Sequence, residues 1–169
     1  MSTGAETKIS LEDFYIHFIT THRKERAPDL LSELACQARH LDQPFTSLLA
    51  EWMSVNYPQE GFRDDNWYAT EIPVEWCYFA HSDFRGAWVP KDKRFVDYLP
   101  KQRYAIESAS FPCASQICAS WTGTMPEPLA QERGPNRYYI LDGQLRVIRH
   151  WYHKVQNIRV FVYRGERPV

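Results

Sequence analysis

The sequence predicts an α+β fold, a small mixed sheet with its helices, preceded by an N-terminal helical extension. Three observations predict it. Apolar residues recur at helical spacing between residues 11 and 56. After Pro58 the texture changes to rings and β-branched residues, broken by Pro73. The C-terminal part then reads as strand, Asp-Gly turn, helix and strand over residues 137–163. The helical extension is placed at residues 1–60 and the α+β core at 61–169, together one compact unit.

Taken in order, residues 1–8 are polar and read as disordered. Ser10 is placed to cap a first helix that carries Phe14, Ile16, Phe18 and Ile19 and ends near Thr21. The charged stretch THRKERAPD reads as a loop, with Asp29 capping the next helix. Leu30, Leu31, Leu34, Ala35, Ala38 and Leu41 form its stripe, and Pro44 stops it. A third helix spans Thr46 to Asn56 and buries Leu48, Leu49, Trp52, Met53 and Val55. One or two short strands are expected within residues 67–80 and a helical turn near 93–98. RYAIESASF reads as a strand and CASQICASW is ambiguous. A short strand at Pro128–Gln131 and a tight turn at Gly134-Pro135-Asn136 lead to a strand at Arg137–Leu141. Helix Gln144–Tyr152 and strand Ile158–Tyr163 close the chain.

Aromatic residues make up 15% of the 169, so large rings can fill a compact core at this length. No apolar run reaches the length of a membrane span, and the polar N-terminus lacks the apolar stretch of a secretory signal. A cytoplasmic protein with no membrane partner is therefore expected, its four cysteines reduced and mostly structural.

The net charge of −1 conceals a split. Residues 1–132 carry 12 Lys and Arg against 19 Asp and Glu, whereas residues 133–169 carry 8 against only Asp142 and Glu166. So basic a segment points to an anionic partner such as a phosphate, a nucleotide or DNA. The competing reading is that these arginines pair with the acidic remainder of the same chain.

The stretch NRYYILDGQLRVIRHWYH concentrates the question. A strand entering a helix through Asp142-Gly143 lets a ligand approach the backbone at the glycine, beside the unpaired N–H groups of the first helical turn. That is a seat for a phosphate. Arg146 can turn its planar fork of donors toward the same anion, and Arg149 follows one turn later. Asp142 can cap the helix, or hold a ribose hydroxyl or a metal. Against this, Asp-Gly is a common connector and helical arginines are often solvated.

The order of MPEPLAQERGPNRYYILDGQLRVIRHWYHKVQNIRVFVYRG resembles the C-terminal core of the ParB/sulfiredoxin superfamily. There a Pro-containing strand, a turn and a second strand lead into a D-G-x-x-R turn, a helix and a final strand. Pro126-Glu127-Pro128-Leu129, Arg137–Leu141, Asp142-Gly143-Gln144-Leu145-Arg146 and Ile158–Tyr163 take those places, and EIPVEWCYF is similar to the family's first strand. The resemblance implies nucleotide or DNA-phosphate binding by Asp142, Gly143, Gln144, Arg146 and Arg149, with ATP or another nucleotide and Mg²⁺ as cofactors. Asp142 and Arg146 are the catalytic candidates if the protein is an enzyme, which would then be a nucleoside triphosphatase or a DNase. Gln144 and Leu145 stand where sulfiredoxins carry their catalytic Cys, which argues against sulfinic acid reduction. Leu145 also replaces the His that many relatives place before the Arg. With six residues after the last strand, the expected relatives are the short stand-alone members on plasmids, similar to fertility-inhibition proteins that block conjugative or T-DNA transfer. The alternatives are a non-catalytic module for a conjugation or secretion-system protein, and a small-molecule kinase.

Other candidates are Arg63-Asp64-Asp65 for Mg²⁺, the pairs His150/His153 and Cys77/His81 as partial metal ligands, and Cys113/Cys118, read as packing residues. Glu71, Glu75, Glu107 and Glu127 are open choices for a general base. Trp151 and Tyr152 read as core in preference to base-stacking. No complete metal site is visible.

Overall fold

The structure, a computed structural model, describes residues 5–58, 66–81, 83–84, 87–88, 91–102 and 127–165. It is a mixed α+β chain of two compact units, Lys8–Trp67 and Met1–Thr7 with Tyr68–Val169. The division thus falls at Trp67, seven residues beyond the expected one, and the first residues group with the second unit. The expected features at Arg63-Asp64-Asp65, Glu107, Cys113, Cys118, RYAIESASF and CASQICASW lie outside the described residues.

The first unit is built on helices α1 (Leu11–Arg23), α2 (Ala27–His40) and α3 (Phe45–Asn56). Ser10 caps α1 as expected, its hydroxyl accepting from the Asp13 N–H at 3.1 Å. Phe14, Tyr15, Phe18 and Ile19 form the buried stripe of α1, and the Phe14 ring stacks on Trp67 with centroids 4.1 Å apart. Thr46 on α3 donates to the Glu12 carboxylate on α1 at 2.7 Å.

The expected loop at residues 21–29 is mostly helical instead. Lys24 takes a left-handed φ of 48°, a single 3₁₀ turn covers Lys24–Arg26, and Pro28 sits in the first turn of α2. Proline fits there because it gives up no intrahelical hydrogen bond, so Asp29 lies inside the helix and not at its cap. Two apolar residues leave the expected stripes. Leu41 is the C-cap of α2 and is exposed. Val55 in the last turn of α3 is 74% exposed, the buried positions being Leu48, Leu49 and Met53.

The second unit is organised by the sheet. The sheet's strands are β1 (Thr7–Ile9), β2 (Trp67–Pro73), β3 (Cys77–Phe79), β6 (Leu129–Glu132), β7 (Tyr138–Asp142) and β8 (Asn157–Tyr163), of which Lys8, Ile9 and Trp67 are counted with the first unit, while β4 (Asp83–Phe84) and β5 (Ala87–Trp88) form a separate ribbon. The order is β1-β2-β8-β6-β7-β3. Thr7 and Lys8, expected to be disordered, are thus in an edge strand. Pro73 ends β2, and a 3₁₀ turn over Val74–Trp76 re-aims the chain into β3. Helix α4 (Phe95–Tyr98) follows, and α5 (Gln144–Tyr152) connects β7 to β8.

The β7–α5–β8 segment has the order that the sequence predicts, but it is not a parallel βαβ unit. β6 lies between the two strands, antiparallel to β7 and parallel to β8. The turn joining β6 to β7 uses Gly134 and Asn136 in the left-handed region, with φ of 117° and 58°. Alternate residues of the strands, Phe79, Ala130, Tyr138, Ile140, Ile158, Val160 and Val162, form one core with Val147 and Ile148 of α5 and with Phe95 and Leu99. Trp151 and Tyr152 pack against that core, as expected.

Candidate functional site

The strand β7 delivers Asp142 to its C-terminal end, and Gly143 turns the chain into α5. Gly143 has φ 88° and is the N-cap of α5, so it offers no side-chain acceptor to the first helical turn. The backbone N–H groups of Arg146 and Val147 both donate to the Gly143 carbonyl, at 2.9 and 3.3 Å.

Arg146 does not reach outward. Its residue is 8% exposed, and its guanidinium folds back over the turn. Nη2 donates to Oδ2 of Asp142 at 2.9 Å, and Nη1 donates to the Glu127 carbonyl at 3.0 Å. A Cβ on residue 143 would lie 2.8 Å from Arg146 Cζ, so a side chain there would displace the guanidinium as well as strain φ. Burial pushes the Arg146 pKa down, and Asp142 and then Glu127 oppose that shift. Asp142 therefore does not cap the helix as expected; its carboxylate forms an ion pair with Arg146.

The structure brings Glu127 to this turn and so distinguishes it among the three candidate bases that lie within the described residues. Its carboxylate faces Arg159 Nε at 3.3 Å. Glu71 and Glu75 are exposed on β2 and on the following 3₁₀ turn. Gln144 and Arg149 are half-buried on α5. His150 Nδ1 lies 2.7 Å from the Arg146 carbonyl, so that nitrogen carries the proton. Burial lowers the pKa of His150 and favours the neutral ring. Cys77 is fully buried and its thiol pKa is pushed far up, as expected of a packing cysteine. Among the described residues no group of three His, Cys, Asp or Glu could hold a metal, and no helix is long and apolar enough to cross a membrane.

Several arginines of the basic segment engage acids or rings of the same chain. Arg164 pairs with Glu6 and with Glu132, the latter at 2.7 Å. Arg133 and Arg137 lie over the rings of Tyr139 and Tyr78, at 4.9 and 5.4 Å. The Arg164 cluster carries no signal in the sequence, because Glu6 and Arg164 stand 158 positions apart.

No family model, curated protein or solved structure matches this chain.

Proposed function

We propose that the protein binds a phosphate group of a nucleotide or of DNA at the Asp142–Arg146 turn, in the manner of the short stand-alone ParB-like proteins that its C-terminal segment resembles. The observation that carries this reading is the opening of α5. A glycine N-cap leaves the start of the helix without a side-chain acceptor, and a guanidinium is fixed directly over that glycine. Helix N–H groups, the helix dipole and the arginine then act on the same anion. Asp142 and the Glu127 carbonyl hold the fork in place, so Arg146 combines positioning with charge, and Arg149 adds a second cation one turn on. Mg²⁺ would accompany a bound triphosphate, and hydrolysis of the nucleotide or of DNA is the reaction class that the resemblance assigns to such a turn. Glu127, whose backbone carbonyl holds the Arg146 fork, is the general base assigned to this reaction.

The experiment measures the melting temperature with ATP, CTP, each with and without Mg²⁺, and a short DNA duplex. A ligand that binds only the folded state raises it. Arg146→Ala is a poor probe, because it removes a buried fork that joins α5 to Asp142 and Glu127. Gln144→Glu is better. A carboxylate in the first turn favours the helix dipole while repelling an anion. The proposal requires a shift with at least one ligand in the wild type and its loss in Gln144→Glu. No shift with any ligand rejects it, and a shift that survives Gln144→Glu places the site elsewhere.

The second reading is a non-catalytic interaction module for a conjugation or secretion-system protein. The burial of Arg146 favours it, since the fork is engaged within the chain.

A further inference from the structure

A cavity of about 310 Å³ lies at the far end of the sheet unit from the Asp-Gly turn, against Trp76 and the start of β7. This volume is at the small end of the range for ligand pockets, roughly 300–1,000 Å³. One wall is aromatic: the Trp76 and Tyr138 rings stack at 6.3 Å with an interplanar angle of 15°, beside Ile72. The rest of the lining is Ala5 and the polar residues Glu6, Thr70, Glu71 and Arg164.

The charges decide what such a cavity can hold. Arg164 is its one cation. Its Nη1 and Nε are engaged by the carboxylates of Glu6 and Glu132, and its guanidinium lies over the Tyr68 ring at 5.0 Å. Glu71 adds a further carboxylate, so two acids of the lining stand against one guanidinium, whose Nε is engaged by Glu132 from outside the lining. An anionic ligand would meet a net negative rim and an arginine whose fork is already engaged. A cation meets carboxylates beside an aromatic wall.

We propose that this cavity is a second ligand site, one that takes a small organic cation bearing an ammonium or guanidinium group. The charged head sits between the aromatic wall and the carboxylates of Glu6 and Glu71, and the apolar stem lies along Ile72. The site is independent of the phosphate reading, and the two have opposite charge preference.

The test is isothermal titration calorimetry of the 169-residue chain with agmatine and with putrescine, and with 1,4-butanediol as the uncharged control. The expected result is saturable one-site binding of the cations that weakens as KCl is raised, and no binding of the diol. Trp76→Leu should lower the affinity about tenfold through loss of the cation–π face. Because Trp76 also packs on the core, the exposed Glu71→Gln serves as the second variant. It should lower the affinity about three- to tenfold with an unchanged melting temperature. No saturable heat up to about 10 mM cation, which is a binding energy of under about 3 kcal/mol, overturns the proposal. So does equal binding of the diol, or cation binding that neither substitution weakens. Cation affinity that rises with Gln144→Glu and is unmoved by these variants also overturns it, by moving the cation to the other site.

Discussion

Replacing Gly143 with alanine tests the geometry of the Asp-Gly turn. Two costs combine. An L-residue held near φ 88° costs about 1–2 kcal/mol. The new Cβ would also lie 2.8 Å from Arg146 Cζ and 2.9 Å from Nε and Nη2, closer than carbon contacts allow. The guanidinium could escape only by leaving Asp142 and the Glu127 carbonyl, and a buried donor stripped of its acceptors costs about 1–3 kcal/mol. Asp142 has 35% of its side chain exposed, so water replaces part of that loss and the lower half of the range applies. The total is about 2–4 kcal/mol, a fall of roughly 5–15 °C in melting temperature for a chain of this size. Urea unfolding followed by circular dichroism measures it, in the wild-type and in the Arg146→Met background. With the guanidinium gone, Gly143→Ala should cost only the backbone part, about 1–2 kcal/mol. The expected coupling is therefore about 1–2 kcal/mol, within the range for residues in contact. Equal losses in both backgrounds, or a loss below about 0.5 kcal/mol in the wild type, would show that the guanidinium does not lie over Gly143.

Two further outcomes follow from the geometry. Ser10→Ala removes the hydroxyl that accepts the Asp13 N–H and should cost about 1 kcal/mol in urea unfolding, whereas Ser10→Asp should retain the cap. His150 supplies a pH dependence. Its folded pKa lies below the ordinary 6.5 through burial, opposed by the hydrogen bond to the Arg146 carbonyl, with the charge on His153 adding to the lowering. The unfolded chain therefore binds the proton first. The contribution is complete above 6.5 and is lost as the pH falls from there through the lower folded value. His150→Gln should flatten the urea midpoint between about pH 5 and pH 7 relative to the wild type, and an unchanged slope would refute the burial argument.

Ser10, the apolar stripe of α1, the Gly134–Asn136 turn and the strand–turn–helix order at Asp142-Gly143 were all legible in the sequence, because each rests on contacts within a few residues. The helical start at Pro28 was misread as a loop since proline gives the same local signal at a helix start as beyond a helix end. β1 was missed because three residues carry no periodicity of their own and are ordered by pairing at a sheet edge.

By itself the sequence determined the mixed α+β character, the glycine at the turn and the basic bias of residues 133–169. Chain spacing and composition settle those matters, since local backbone preferences and charge totals do not depend on distant partners. Only the tertiary structure decided which partners the charges find. It folded Arg146 onto Asp142 and the Glu127 carbonyl, placed β6 between β7 and β8, and joined Arg164 to Glu6 across 158 positions. A salt bridge forms where burial and strand order bring two ends of the chain together. Neither spacing nor residue type encodes that meeting locally.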